Sequence, residues 1–276
     1  METTSLAFDS NGQRLAADLY VPRRPNGMGI VLLHGSSTAG RQLFLYPELC
    51  QALAARGYTL LNLDMRGYGD SEDPRRLDRI EDYDFVGDAV RAVRFARTLV
   101  ARTRDGPWVL LGHSMGGGVA LHAALAGADV QGVVCISPGR RIESRFFAAD
   151  QRAALKNLQR RKTRDMELPA PIPVELLEPI LASYDVGRLA GTALPKPLLL
   201  IEGDREPEDD LAFSREWLAS LSGPATHRVI PGADHYFGTA KIKADGAKRW
   251  VLVRPDVFDA LVEMIDDWTR TNVRHP

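Results

Sequence analysis

The run Gly112-His113-Ser114-Met115-Gly116 places a serine between glycines in a chain of 276 residues. A serine hydroxyl is a weak nucleophile, and it attacks a carbonyl only when a base within hydrogen-bond reach takes its proton. The G-x-S-x-G spacing suits a sharp turn from a strand into a helix, a nucleophile elbow that presents the hydroxyl at its tip. The glycines remove Cβ atoms that would clash where the two elements meet. With glycine and serine each at roughly 7% of residues, a chain of this length should show about 0.1 chance matches. The flanks agree with the turn: Val109 to His113 is a short apolar run, and Val119, Ala120, Ala123, Ala124 and Ala126 form a small-residue helix face. A tight turn with an idle serine would carry the same letters, so a base and an acid must be sought elsewhere.

The elements that would position Ser114 follow a regular grammar. Short apolar runs at Ile30–Leu33, Thr59–Leu63, Trp108–Leu111, Gly132–Ile136, Leu198–Ile201 and His227–Ile230 predict strands. Helical patterns fall at Pro47–Arg56, Phe85–Val100, Met115–Ala126, Leu211–Leu221 and Pro255–Thr269. Near-continuous apolar strands separated by helices predict an α/β fold, a mostly parallel sheet covered by helices on both faces. Ahead of it, Leu6, Phe8, Leu15, Ala17, Leu19 and Val21 alternate around Asn11-Gly12, which predicts a hairpin. Gly238–Val253 reads as a small hairpin or an extended loop.

Between Pro138 and Leu194 the rhythm breaks. From Arg140 to Arg164 nine basic residues (Arg140, Arg141, Arg145, Arg152, Lys156, Arg160, Arg161, Lys162, Arg164) face two acidic ones, Glu143 and Asp150. Pro169, Pro171 and Pro173 then interrupt any helix. Because it falls between the fourth and fifth parallel strands, this stretch is expected to be a helical insertion over the sheet.

Bulk composition narrows the function classes. The chain is 45% hydrophobic and 26% charged with a formal net charge of −1, so no bulk attraction to nucleic acid or membranes is expected. Cys50 and Cys135 sit in apolar segments without metal-type spacing and read as reduced core thiols, which points to a cytoplasmic protein. No signal peptide or membrane-spanning stretch is visible. No motif calls for a metal, nucleotide, flavin or other cofactor, and the expected partner is a small-molecule acyl substrate taken by a monomer or homodimer.

Loops at the C-terminal ends of parallel strands converge, and ligands bind there. Those loops carry "LLHGSS", "LDMRGYGDSE", "GHSMGG", "LLLIEGDREP" and "PGADHYF", in that order. Together they resemble the α/β-hydrolase superfamily, and more narrowly its capped serine-hydrolase branch of monoacylglycerol lipases, serine aminopeptidase-like hydrolases and small carboxylesterases. The resemblance covers Gly29 to Pro138 and Lys196 to the last helix. It implies an α/β-hydrolase core over residues 1–138 and 195–276, with residues 139–194 as a small helical cap.

Ser114 is then the expected nucleophile. His235, which follows the final strand at the same sheet edge, is the expected base. The family usually places an aspartate three residues after the strand-ending glycine and just before a proline. Here that position is Glu206, between Gly203 and Pro207, with Asp204 as the alternative and Asp209 or Asp210 behind it. Two backbone N–H groups should face the developing oxyanion, those of Met115 and Ser36. His34 is expected to pin the oxyanion loop, and Asp64, Arg66 and Asp70 to pair and hold a neighbouring turn. The expected reaction is cleavage of an ester or related acyl bond through an acyl-serine intermediate, with the Ser-acid-His triad Ser114, Glu206 and His235. An acyl-thioesterase is the alternative, because Arg152, Lys156, Arg160 and Arg164 share one face at i, i+4 spacing and could meet the phosphates of a carrier; a solvated helix face is the expected reading of them, since charge runs are usually exposed. A non-catalytic ligand-binding protein on the same fold is the third reading.

Overall fold

The computed structural model describes residues 1–37, 39–71, 77, 79–140, 172, 174–244 and 247–273. Two antiparallel strands, β1 (Glu2–Ser10) and β2 (Gln13–Val21), open the chain. They turn at Asn11 and Gly12, both with positive φ, as a two-residue hairpin turn requires. Six further strands complete the main sheet: β3 (Gly29–Leu33), β4 (Thr59–Leu63), β5 (Trp108–His113), β6 (Gly132–Ile136), β7 (Leu198–Gly203) and β8 (Ala225–Ile230). The order across the eight strands is β1-β2-β4-β3-β5-β6-β7-β8. Every pair from β4 to β8 is parallel, and β2 joins β4 antiparallel.

Side-chain alternation divides the sheet between two cores. Val31, Leu33 and Leu110 face the side covered by α2 (Phe85–Leu99) and α3 (Met115–Leu125). Ile30, Leu32, Val109 and Leu111 face α1 (Leu45–Ala55) and α6 (Pro255–Asn272). The central strands are buried on both faces, which is why they read as unbroken apolar runs rather than alternating ones. Leu177 and Ile180 of α4 (Val174–Ser183) and Trp217 of α5 (Glu208–Ser220) join the α2–α3 side. β9 (Thr239–Ala244) and β10 (Ala247–Leu252) pair antiparallel, so the hairpin reading of Gly238–Val253 holds.

Element boundaries depart from the sequence pattern at two helix starts. α1 begins at Leu45 rather than Pro47, since a proline within the first turn removes only an N–H that has no helical partner. α5 begins at Glu208 rather than Leu211, because its first turn is acidic and carries no apolar periodicity. Of the expected insertion, residues 141–171 and 173 lie outside the described residues, as do Arg152, Lys156, Arg160 and Arg164. Among the described residues, no helix is long and apolar enough to cross a membrane.

Candidate active site

Ser114 joins β5 to α3 with φ 54° and ψ −121°. A non-glycine residue at such angles is strained by roughly 1–3 kcal/mol and persists only where its surroundings fix it. Ser114 N–H donates to the Ile136 carbonyl at 2.9 Å, and the Ser114 carbonyl accepts from Gly117 N–H and Gly139 N–H, both at 3.0 Å. A Cβ at Gly116 would run into the Leu33 carbonyl, and one at Gly112 into the Gly116 carbonyl. The two glycines of the motif are therefore what lets the strand, the turn and the β3 end close on one another.

Ser114, Glu206 and His235 line one cavity of about 350 Å3, with Ser137, Gly139 and Arg140 among its other walls. His235 Nδ1 lies 3.0 Å from Glu206 Oε1. The glutamate side chain is buried and the imidazole is partly open to solvent. Burial alone would push the Glu206 carboxyl up, but the hydrogen bond and charge of His235, helped by the nearby Ser137 hydroxyl and Arg140, hold it at about 2. Asp204 points elsewhere: it is exposed, and its Oδ1 accepts from Gly232 N–H at 2.7 Å, bracing the turn before His235. Asp209 is exposed on the first turn of α5.

The loop after β3 packs on the same serine. A Cβ at Gly35 would stand 3.0 Å from the Ser114 Cβ. The Gly35 peptide is held at both ends. Its N–H donates to the Tyr46 hydroxyl at 2.7 Å, and its carbonyl lies 2.7 Å from His34 Nδ1. Met65 N–H donates to His34 Nε2 at 3.0 Å, so Nε2 carries no proton and Nδ1–H is the donor to Gly35. Burial pushes the His34 pKa down, in keeping with a neutral ring. Because C=O and N–H of a trans peptide point in opposite directions, fixing the Gly35 carbonyl also fixes the direction of Ser36 N–H. The Ser36 hydroxyl lies 3.0 Å from that of Tyr68, and Met115 opens α3 beside Ser114 with its sulfur 3.8 Å from the same Tyr68 hydroxyl.

Two features escape sequence reasoning. The first is a buried chain of hydrogen bonds through His113. Its Nε2 lies 2.8 Å from the His235 carbonyl, which can only accept, so Nε2 carries the proton. Burial, and then the neighbouring His235, hold the His113 pKa down at about 3, and the neutral ring accepts at Nδ1 from the Tyr46 hydroxyl at 2.9 Å. Gly35 N–H, Tyr46, His113 and the His235 carbonyl thus form one line between the β3 loop and the histidine loop.

The second feature is Arg140, which the sequence shows only as the first of nine basic residues between Arg140 and Arg164. It is only 4% exposed. Its Nη1 pairs with Glu202 Oε1 at 2.7 Å, and its Nη2 lies 3.7 Å from Glu206 Oε2 and 3.6 Å from Asp210 Oδ2. Glu202 also accepts from the Ser214 hydroxyl at 2.8 Å and lies 2.8 Å from His227 Nε2. One signal in the sequence pointed this way: Glu202 is an acid inside the apolar run Leu198–Gly203, and such a group needs a buried partner.

The charges of the β4 loop are structural. Arg41 binds Asp18, Asp64 and Asp70, and Arg66 binds Asp88 at 2.6 Å, tying the first hairpin and α2 to the loop. Among the described residues, no group of three or more His, Cys, Asp or Glu side chains is placed to hold a metal ion.

Comparison with known proteins agrees with the fold. The chain is 33% identical over 121 residues to the AB hydrolase superfamily protein YisY of Bacillus subtilis, a match covering 43% of this chain and 41% of YisY. It is 26% identical over 275 residues to a monoacylglycerol lipase of Mycolicibacterium smegmatis, covering 87% of this chain and 94% of that one. A soluble variant of the Saccharomyces cerevisiae monoglyceride lipase, solved with a substrate analogue, superposes with a TM-score of 0.69 at 15% identity, over 98% of this chain and 95% of that one. The family model described as serine aminopeptidase, S33 (Hydrolase_4) matches residues 26–178, more than half of the chain. The chain belongs to this family of α/β hydrolases.

Proposed function

We propose that the protein is a serine hydrolase that cleaves carboxylic esters through an acyl-serine intermediate, with Ser114 as nucleophile, His235 as general base and Glu206 as the triad acid. The observation that carries this reading is the 3.0 Å contact between His235 Nδ1 and Glu206 Oε1 in the cavity that Ser114 also lines. Ser114 Oγ attacks the acyl carbon while His235 Nε2 takes its proton, and the carbonyl electron pair moves onto oxygen. The N–H groups of Ser36 and Met115 stabilise that oxyanion, each contributing about 3 kcal/mol where charge develops. Collapse of the intermediate expels the alcohol, which leaves with the proton from His235. Water, activated by His235, then attacks the acyl-serine, and the free acid departs with Ser114 restored. Glu206 stays ionised throughout and holds the imidazole in the tautomer with Nδ1–H.

The stretch 139–194, mostly outside the described residues, is read from the sequence as the cap insertion, whose role would be to choose among acyl groups. The buried, unpaired Cys50 and Cys135 support a cytoplasmic site of action. The similarity along almost the whole length of a monoacylglycerol lipase makes monoacylglycerols the first natural substrates to assay. The test is turnover of short p-nitrophenyl esters and of monoacylglycerols by the wild type and by Ser114→Ala. The variant should fold normally and lose several orders of magnitude in kcat. Retained activity in purified Ser114→Ala would refute the assignment.

A further inference from the structure

The carboxylate side of Glu206 that does not face His235 meets a buried cation. Arg140 follows β6 and its guanidinium is enclosed by three acids: Glu202 on β7, Glu206 on the loop after β7 and Asp210 on the first turn of α5. Only the Glu202 contact is at hydrogen-bonding length. Among the described residues, Arg140 Nε and Nη2 have no hydrogen-bond partner, and Nη2 sits between Glu206 and Asp210 at nearly equal distances. Ser214 on α5 donates to the same Glu202 Oε1 that Arg140 meets, and His227 on β8 meets Oε2 on the other side. The result is a continuous row of ionisable side chains, His227–Glu202–Arg140–Glu206–His235, running from the edge strand to the cavity.

Resting on the serine-hydrolase reading above, we propose that Arg140 is a positioning residue for the triad: its charge keeps Glu206 ionised and aimed at His235, and Glu202 sets how much of that charge reaches the pair. Electrostatics gives the two neighbours opposite signs. A cation near the Glu206–His235 pair disfavours protonation of the imidazole, and an anion that neutralises the cation restores it. Removing Arg140 therefore makes His235 easier to protonate, and removing the Glu202 charge makes it harder. The groups packed against His235 itself are Glu206, His113 and Tyr236, with Ser114 across the cavity, and none of them is substituted in these variants.

The experiment is the pH dependence of kcat/KM on a p-nitrophenyl ester for the wild type, Arg140→Gln, Arg140→Lys and Glu202→Gln. Arg140→Gln should move the acid limb to higher pH by about one unit, the lower end of what one close charge does. Glu202→Gln should move it to lower pH by a smaller amount, and Arg140→Lys should return it towards the wild-type position whatever its turnover. A residue that merely filled space would lower kcat in all three and leave the limb in place. Limbs that do not move, or that move the same way in Arg140→Gln and Glu202→Gln, would overturn the proposal. If Arg140→Gln does not fold, the Glu202→Gln and Arg140→Lys pair still decides: Glu202→Gln must shift the limb down and Arg140→Lys must not shift it up. Active Ser114→Ala would instead remove the triad reading, so the two failures are separable.

Discussion

Replacing Glu206 with glutamine keeps the shape of the side chain and removes only its charge. In the folded protein the carboxyl is held at about 2, against an ordinary value of 4.5. That difference corresponds to about 3 kcal/mol of favourable interaction with the charged form, at about 1.4 kcal/mol per pH unit. Much of it comes from the His235 contact at 3.0 Å, and the dependence strengthens as the imidazole becomes cationic during attack. Only the part of the interaction gained as His235 becomes cationic is lost from kcat; a gain of similar size, about 3 kcal/mol, lowers kcat about a hundredfold. The glutamine amide can also turn its NH2 toward Nδ1 and favour the wrong tautomer, which extends the expected loss to about 10³–10⁴-fold. The assay is steady-state hydrolysis of a p-nitrophenyl ester at pH 8, with Asp204→Asn measured alongside. Asp204 only accepts from Gly232 N–H, so its variant should lose less than about tenfold, the reach of one surface hydrogen bond. Equal losses, or a larger loss in Asp204→Asn, would show that the Gly203–Pro207 frame has been read two positions out.

Two further predictions test the supports around the triad. Tyr46→Phe breaks the line between the β3 loop and His113 and leaves the Gly35 N–H buried without its acceptor; it should cost about 1–3 kcal/mol in urea unfolding and lower kcat more than it raises KM. Stability should also fall as acid protonates Glu206. Its folded pKa lies below the ordinary one, so its contribution is complete above about pH 4.5 and is lost as pH drops towards 2. The wild type should accordingly lose about 3 kcal/mol across that window relative to Glu206→Gln, read by urea unfolding at a series of pH values.

The parallel core and Ser114 were legible because their signals are local. An apolar strand, a glycine-spaced turn and a small-residue helix all fall within Val109 to Ala126. Glu206 was legible only by its place between Gly203 and Pro207, and the contact with His235 separates it from Asp204. Arg140 was hidden for two reasons. It opens a basic run in a stretch with no strand pattern to place it, and its partners Glu202, Glu206 and Asp210 lie more than sixty positions along the chain. The His113 line was hidden for the second reason as well, since it joins residues 35, 46, 113 and 235, which meet only after the sheet has formed.

The central claim is that Ser114 is the activated nucleophile of the cavity it shares with Glu206 and His235, and covalent labelling tests it most directly. A fluorophosphonate reacts with a serine only when a base and an oxyanion site activate it. Treatment of the wild type followed by peptide mass spectrometry should place one adduct on Ser114, with labelling abolished in Ser114→Ala and slowed at least a hundredfold in Glu206→Gln. An adduct on another residue, or an unlabelled Ser114 in folded protein, would contradict the account.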